Sequence, residues 1–245
     1  MGIFQLSELS CGYGALPVIS VPSLVLERGE AMTVVGRNGA GKSTLLRTIA
    51  GLAAPLAGTV RFDGLDLLSL RSAERARHVS MLTQMESLDP STTVRELVNL
   101  GRTPWLGRFG HFSREDRQMV DRALDTCHLS ALSDRPLGRV SGGERQRARL
   151  AMVLAQNTGI VLLDESTNHL DAAHRYMLHG ILRRIRDEQG CIVLMACHSL
   201  LDAERFATGI LLLREGGVER FDVGEADRLR ARIVEDTGVP PEWVY

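Results

Sequence analysis

The chain has 245 residues, of which 44% are hydrophobic, so it can bury a full core as one large domain or as one domain with an inserted lobe. Its 29 basic and 30 acidic residues nearly cancel, which excludes an attraction of bulk charge to nucleic acid or anionic lipid. No apolar run approaches the roughly 18 residues that cross a bilayer, and residues 1–5 do not resemble a signal peptide. We therefore expect a cytoplasmic protein without nucleic-acid partners.

The stretch from residue 31 to residue 50 predicts a strand, a glycine-rich loop and a helix in succession. Residues 31–35 form a short apolar run, and residues 43–50 have helical spacing with apolar side chains facing inward. Between them, residues 36–44 read Gly-Arg-Asn-Gly-Ala-Gly-Lys-Ser-Thr, which matches the G-x-x-x-x-G-K-[ST] loop that binds the phosphates of a nucleoside triphosphate. The inward-facing helix residues are Leu45, Leu46 and Ile49.

The chemistry of this phosphate-binding loop predicts a role for each residue type. Its glycines let backbone N–H groups turn toward the phosphates, and the helix that follows adds the positive end of its dipole. Lys42 reaches the outer phosphates, and the Ser43 hydroxyl can ligate magnesium. A glycine-rich turn before a helix is the plain alternative. The predicted ATP-binding residues here are Gly36, Asn38, Gly39, Ala40, Gly41, Lys42, Ser43 and Thr44.

Further apolar segments predict strands, and several of them are apolar on both faces, as in a parallel sheet that is covered by helices. They are residues 59–62, 78–83, 160–163, 192–197 and 210–213. The fold class is therefore α/β. Residues 215–217, Glu-Gly-Gly, separate two short strands and predict a hairpin turn on the surface.

The region from about residue 87 to residue 156 lacks such strands and predicts helices instead. Residues 113–116, Ser-Arg-Glu-Asp, form a candidate capping box, followed by apolar side chains at helical spacing. These are Val120, Ala123, Leu124 and Cys127. A mostly helical lobe is thus inserted in the sheet-forming chain. The four cysteines are scattered among apolar neighbours, which favours core thiols over disulfides or a zinc site.

Two carboxylates follow the apolar strand at residues 160–163. Asp164 would hold magnesium beside the phosphate-binding loop, and Glu165 would accept a proton from the attacking water. Two acids after a strand can also mark a solvated strand end. The phosphate-binding loop elsewhere in the chain favours the catalytic interpretation.

Residues 140–147, Val-Ser-Gly-Gly-Glu-Arg-Gln-Arg, suggest a family. With the motifs on either side, they resemble the LSGGQ signature of ATP-binding cassette (ABC) ATPases of transporters. Val140 replaces the usual Leu and Glu144 replaces the usual Gln. Both changes leave the working parts, a serine hydroxyl and glycine N–H groups at the start of a helix, which form an anion cradle. Taken alone, a Ser-Gly-Gly turn would be a helix cap.

The other motifs of the family occur in its usual order over nearly the whole chain. By resemblance, Gln84 is the Q-loop glutamine that touches magnesium and water, and residues 168–171 form the D-loop. His198 corresponds to the switch histidine that contacts the γ-phosphate, and Tyr13 to the aromatic residue that stacks on adenine. Outside this pattern, a lone histidine or a tyrosine between glycines is usually an ordinary structural residue. Ser166 departs from the family's proline after the catalytic glutamate.

The resemblance also implies an architecture and an assembly. Residues 1–245 would form one ABC ATPase domain with N-terminal antiparallel strands, and residues 87–156 would form its inserted signature subdomain. Two copies would form a head-to-tail homodimer in which ATP and Mg²⁺ lie between the phosphate-binding loop of one subunit and the signature of the other. Contacts in trans would come from Ser141, Gly142, Gly143, Glu144 and Asp171, and magnesium contacts from Ser43, Gln84 and Asp164.

Residues 101–110, Gly-Arg-Thr-Pro-Trp-Leu-Gly-Arg-Phe-Gly, narrow the transporter type. They are similar to a stretch in the ATPases of cobalamin, haem and ferric-siderophore importers. Such an ATPase would lie on the cytoplasmic side of the inner membrane, bound to a separate permease that receives cargo from an extracytoplasmic substrate-binding protein. The alternative is a Gly/Pro-rich surface loop between two helices.

Three other functions remain to be distinguished. An exporter ATPase would use the same motifs, although exporter cassettes are often fused to membrane helices. A soluble ABC ATPase of DNA repair or translation usually has a long coiled-coil insertion or a second cassette, and this sequence shows neither. A P-loop kinase would lack the Ser-Gly-Gly-Glu element.

Overall fold

The computed structural model describes residues 3–83, 88–107, 110–164, 172–197, 207–214 and 217–237. No helix in these ranges combines the length and apolar composition needed to cross a bilayer. The strands are β1 (Ile3–Tyr13), β2 (Leu16–Glu27), β3 (Ala31–Val35), β4 (Ala57–Phe62), β5 (Leu65–Asp66), β6 (Val79–Leu82), β7 (Ile160–Leu163), β8 (Ile192–Ala196), β9 (Gly209–Arg214) and β10 (Gly217–Asp222). The helices are α1 (Lys42–Ile49), α2 (Ser72–Arg75), α3 (Val94–Asn99), α4 (Arg114–Thr126), α5 (Gly142–Ala155), α6 (Ala172–Gln189) and α7 (Ala226–Thr237).

A six-stranded sheet has the order β10-β9-β3-β8-β7-β6. All of its neighbours pair in parallel except the antiparallel β9 and β10. Every residue of β3, β7 and β8 is buried, because helices and a second sheet cover both faces. The predicted strands of the parallel sheet are thereby confirmed. The strands of the predicted hairpin are also confirmed, with Arg214 opposite Gly217, whereas residues 215 and 216 lie outside the described residues.

A separate four-stranded sheet is antiparallel in every pair, with the order β2-β1-β4-β5. The predicted strand at residues 59–62 belongs to it. Val60 and Phe62 are buried, whereas Arg61 between them is exposed, as expected for a sheet with one face in solvent. The buried face packs on the central sheet around α1, whose Leu45, Leu46 and Ile49 are fully buried as predicted.

Helices α3, α4 and α5 lie between β6 and β7 in the chain and share one apolar core with the other face of the central sheet. Helix α4 begins at the predicted capping box, in which the Ser113 hydroxyl accepts from Asp116 N–H and the Asp116 carboxylate accepts from Ser113 N–H. The predicted inward residues of α4 are buried: Val120, Ala123, Leu124 and Cys127. Residues 100–105 form a 3₁₀ helix, so this part of the 101–110 stretch is not an irregular surface loop.

All four cysteines are buried and none forms a disulfide, which confirms the prediction of core thiols. Loss of solvation opposes thiolate formation, and it raises the pKa of Cys127 to about 12. The cysteines therefore pack as small apolar side chains.

Candidate functional site

The phosphate-binding loop joins the carboxyl end of β3 to the start of α1. Gly39 and Gly41 have φ values of 83° and 96°, a backbone conformation that L side chains rarely adopt. Gly41 is the N-cap of α1 and supplies no side-chain hydrogen bond to the helix. The N–H groups of the first turn are therefore not covered by a capping side chain, and this is the arrangement that anion binding at a helix N-terminus uses.

The Lys42 ammonium is held within the loop. Its Nζ donates to the carbonyl oxygens of Gly36 at 2.8 Å and of Arg37 at 3.1 Å, and the residue is only 5% exposed. These contacts fold the side chain back over the loop. The charge is thereby held against the loop, and a polyphosphate bound there would bring its own negative charge close to it.

The side chains of Ser43 and Asp164 are in contact at the carboxyl end of the central sheet. The Ser43 hydroxyl donates to Asp164 Oδ1 at 2.7 Å, and Asp164 is 6% exposed. The backbone N–H of Asp164 donates to the Leu82 carbonyl oxygen at 3.0 Å, which fixes the residue at the ends of β6 and β7. A hydroxyl and a carboxylate are hard oxygen donors, and Mg²⁺ commonly takes one or two such protein ligands together with phosphate and water oxygens. The pair fits a magnesium site of that kind.

No cluster of three His, Cys, Asp or Glu side chains that could hold a metal occurs within the described ranges. Mg²⁺ bound at the phosphate-binding loop would complete its coordination with phosphate oxygens of the nucleotide and with water. This is the usual situation of Mg²⁺ in sites that bind nucleoside triphosphates.

Arg47, which no sequence motif singled out, lies beside Asp164. Its Nε lies 3.9 Å from Asp164 Oδ2, so the carboxylate has a hydroxyl on one oxygen and a guanidinium near the other. The side chain is about half exposed, which makes the ion pair weak. The available signal was its spacing, because Arg47 follows Ser43 by four residues on α1 and so lies on the same helix face.

Tyr13, at the end of β1, also lies beside the loop. Its hydroxyl is 3.2 Å from Thr44 Oγ1, and the residue is 59% exposed. The hydrogen bond fixes the tip of the side chain against α1, while much of the side chain stays open to solvent. Such a ring can offer a face to a planar base.

Ser141 and the residues after it start α5, in the helical region. The Ser141 hydroxyl accepts from Glu144 N–H at 3.2 Å, and Glu144 Oε2 accepts from Ser141 N–H at 2.7 Å, which completes a capping box. The N–H and hydroxyl of Ser141 lower the pKa of Glu144, so its carboxylate is ionised at neutral pH. Ser141 and Gly142 are exposed, and within the described part of the chain no hydrogen bond joins them to the phosphate-binding loop of the same chain.

Several predicted site residues lie outside the described residues: Gln84, Glu165, residues 168–171 and His198, and so does Ser166, which departs from the family pattern. The strands that precede them are described. Leu163, at the end of β7, pairs with Leu82 of β6 and with Met195 of β8. The carboxyl ends of these three parallel strands therefore meet at one edge of the sheet, which is the edge where Asp164 contacts Ser43.

Comparison with known proteins agrees with this geometry. A family model described as ABC transporter matches residues 19–168. An iron(3+)-hydroxamate import ATP-binding protein of Bacillus subtilis (strain 168) is 35% identical over 218 residues, which cover 89% of this chain and 81% of the relative. A ferric enterobactin transport ATP-binding protein of Escherichia coli (strain K12) is 38% identical over 211 residues, which cover 86% and 78%.

The fold is shared with solved structures. An ATP-binding cassette of an ABC transporter in its ADP conformation superposes with a TM-score of 0.83, covering 98% of this chain and 100% of that chain at 19% identity. The residues matched by the family model, 19–168, include the strand, loop and helix that hold Lys42. They also include Ser43 and Asp164, whose side chains are in contact. The chain therefore belongs to the ABC transporter family, as an ATP-binding subunit with ATPase activity.

Proposed function

We propose that this chain powers an ABC importer that takes up a metal chelate through a separate membrane permease. The observation that carries the proposal is that relatives named for iron(3+)-hydroxamate import and for ferric enterobactin transport are 35% and 38% identical to it over most of its length. A ferric siderophore is accordingly the first cargo to test, followed by haem and cobalamin. Such a subunit would work on the cytoplasmic side of the inner membrane.

The geometry of the phosphate-binding loop supports the binding of ATP with Mg²⁺. Residues 36–44 would wrap the triphosphate, with Lys42 on the outer phosphates and the ring of Tyr13 against adenine. Ser43 and Asp164 would hold Mg²⁺, which supplies charge stabilisation to the transferring phosphoryl group when bound. Arg47 would balance the charge of Asp164 from the other side.

The residues that act on the γ-phosphate are proposed from the sequence. Glu165 would accept the proton of the attacking water, His198 would contact the γ-phosphate, and Gln84 would join magnesium and water to the permease contact. Support comes from the strands that precede them, because β7, β8 and β6 end at the sheet edge where Asp164 lies.

We further propose one domain over residues 1–245, with residues 87–156 as an inserted signature subdomain, and a head-to-tail homodimer. Exposure of Ser141 and Gly142 at the start of α5 supports a contact in trans with the ATP of the other subunit, together with Gly143, Glu144 and Asp171. ATP would then favour the closed dimer, and hydrolysis would open it. The permease, supplied by an extracytoplasmic substrate-binding protein, would alternate its access with this cycle.

Glu165→Gln tests the enzymatic part of the proposal. The variant should bind ATP, hydrolyse it about 10²–10⁴-fold more slowly, and accumulate as an ATP-bound dimer in size-exclusion chromatography. A variant that hydrolyses ATP at the parental rate would assign the general base elsewhere. A Glu165→Gln variant that never dimerises with ATP would contradict the proposed assembly.

Deletion of the gene tests the cargo. Growth should fail when iron is supplied only as a siderophore or as haem, or when cobalamin is limiting, and wild type but not Glu165→Gln should restore it. Cysteine pairs between the helical lobe and a many-spanning membrane subunit should cross-link. Normal uptake of all three chelate classes, in a strain without a related transporter, would overturn the cargo and leave the ATPase assignment intact.

A further inference from the structure

The 3₁₀ helix at residues 100–105 binds the carboxyl end of α5. A Cβ built on Gly101 would lie 2.0 Å from the Met152 carbonyl oxygen, so only glycine allows this close backbone approach. Arg102 Nη1 donates to the Ala155 carbonyl oxygen at 2.9 Å. The last carbonyl groups of an α-helix accept no hydrogen bond from within the helix. Here the side chain of Arg102, which belongs to a distant segment of the chain, donates to one of them.

Trp105 completes this contact. Its indole Nε1 donates to the Gln156 carbonyl oxygen at 2.8 Å, just beyond the last residue of α5. The guanidinium carbons of Arg77 and Arg102 lie 5.3 Å and 5.1 Å from the centre of its ring. Both distances fall within the range of a cation–π interaction, so the two cations help to fix the ring.

Arg102 also contacts α4, and Gln156 also contacts β6. Arg102 Nε and Nη2 both lie 2.9 Å from Oδ1 of Asp116 on α4, and both residues are buried. Arg77 Nε donates to the Pro104 carbonyl oxygen at 2.9 Å, and Gln156 Nε2 donates to the Val79 carbonyl oxygen at 3.1 Å. The carboxyl end of α5 is therefore tied at once to α4 and to the start of β6.

We propose that Arg77, Gly101, Arg102, Trp105 and Gln156 form a clamp that sets the direction of α5 and so positions Ser141 and Gly142 at its other end. This inference rests on the proposed contact of Ser141 with ATP in trans. Helix α5 has 14 residues, a length of roughly 20 Å, so a tilt of about 5° at the clamp moves the start of the helix by about 2 Å. Displacements of that size at a reacting centre cost large factors in rate.

Because its contacts are polar, the clamp is better suited to fixing the direction of α5 than to stabilising the fold. Replacing a buried ion pair by apolar side chains is often neutral or stabilising, whereas hydrogen bonds and a fork-shaped guanidinium fix direction. The members of the clamp are positioning residues, because none of them touches the proposed ATP site.

Trp105→Leu is the main test, made in the Glu165→Gln background. Trp105 is partly exposed, so the variant should fold, and its melting temperature is measured to verify this. ATP affinity of the monomer should be unchanged, whereas ATP-driven dimerisation in sedimentation velocity should weaken by about tenfold. Trp105→Phe keeps a ring between the two guanidinium groups and should recover part of the loss. Leu100→Ala, a 56% exposed residue of the same segment, is the matched control and should dimerise normally.

Two further measurements separate the clamp from a general structural role. Trp105→Leu combined with Ser141→Ala should weaken dimerisation by less than the sum of the two single losses, because the clamp acts through the residues at the start of α5; fully additive losses would overturn the inference. Spin labels on Arg145→Cys and Arg61→Cys, both exposed, should give a broader distance distribution in Trp105→Leu than in Leu100→Ala. An unchanged distribution would also overturn it. The distance measurement needs no dimer, so absence of dimerisation in the parental background would contradict the proposed function alone.

Discussion

The Ser43 hydroxyl donates a 2.7 Å hydrogen bond to Oδ1 of Asp164, joining residues that are 121 positions apart in the chain. The contact exists because β3, which leads to Ser43, and β7, which leads to Asp164, both flank β8 in the parallel sheet. Strands that run in the same direction end at the same edge, where their following residues meet. The two oxygen donors proposed for magnesium are thus brought together by strand order.

Asp164→Asn should separate ATP binding from its magnesium dependence. The amide keeps the size of the side chain but removes the charge that a divalent cation needs. In calorimetry, ATP should bind the variant in the absence of Mg²⁺ as it binds the parent, and Mg²⁺ should add little. Hydrolysis should fall at least about a hundredfold. Asp121→Asn, at an exposed position, is the control. Parental magnesium dependence in Asp164→Asn would exclude this site.

Lys42→Ala should abolish tight ATP binding, because the triphosphate loses the positive charge held inside the loop. Calorimetry measures the affinity, and an unchanged value would refute the role of the loop.

Lys42 is the only lysine in the sequence, so its chemical reactivity can be measured independently. Acetylation of the parent by an amine-reactive reagent, followed by mass spectrometry, should modify Lys42 besides the N-terminus, and saturating ATP should slow that reaction.

Ser141→Arg should block hydrolysis while leaving ATP binding to the monomer largely intact, because Ser141 is proposed to act on the ATP of the other subunit. Mixing it with Lys42→Ala is the sharper experiment. Each mixed dimer has one composite site with both lesions and one with neither, so partial ATPase activity should return. Proven heterodimers without activity would indicate either a role for Ser141 within its own chain or a strict need for two working sites.

Asp116 should make the free energy of unfolding depend on pH in the acid range. Burial opposes its ionisation, but hydrogen bonds from Ser113 and the Arg102 guanidinium outweigh burial and lower the pKa of the carboxyl below its ordinary value of 3.8. A lowered folded-state pKa contributes stability that is fully present above the unfolded value and is lost as pH falls through the folded one. The contribution should therefore begin to fall below about pH 4 and should be lost only at a still lower pH.

Asp116→Asn tests this by urea unfolding. At neutral pH it should lose about 3–5 kcal/mol, because the guanidinium of Arg102 keeps its burial without its partner. Its stability should then change less than that of the parent between about pH 5 and pH 2. Asp121→Asn removes an exposed partner of Arg95 and should cost at most about 1 kcal/mol. Equal acid sensitivity of Asp116→Asn and the parent would exclude Asp116 as the titrating group.

The sequence alone determined the elements whose signals are local. The phosphate-binding loop, the buried strands and the capping box at Ser113 are each encoded within a few neighbouring residues, and the structure has them where they were expected. The N-terminal strands β1 and β2 were anticipated only through resemblance, because their buried and exposed residues alternate too irregularly to give a clear strand pattern.

Only the tertiary structure decided which distant residues meet. Strand order and helix packing bring Arg47 to Asp164, the Tyr13 hydroxyl to Thr44, and residues 101–105 to the end of α5. Residues 101–110 carried a resemblance in sequence, but the contact of residues 101–105 with α5 depends on a backbone approach that no local pattern encodes. Periodicity and capping specify an element and its buried face, whereas the partner of a polar side chain is set by how the elements pack.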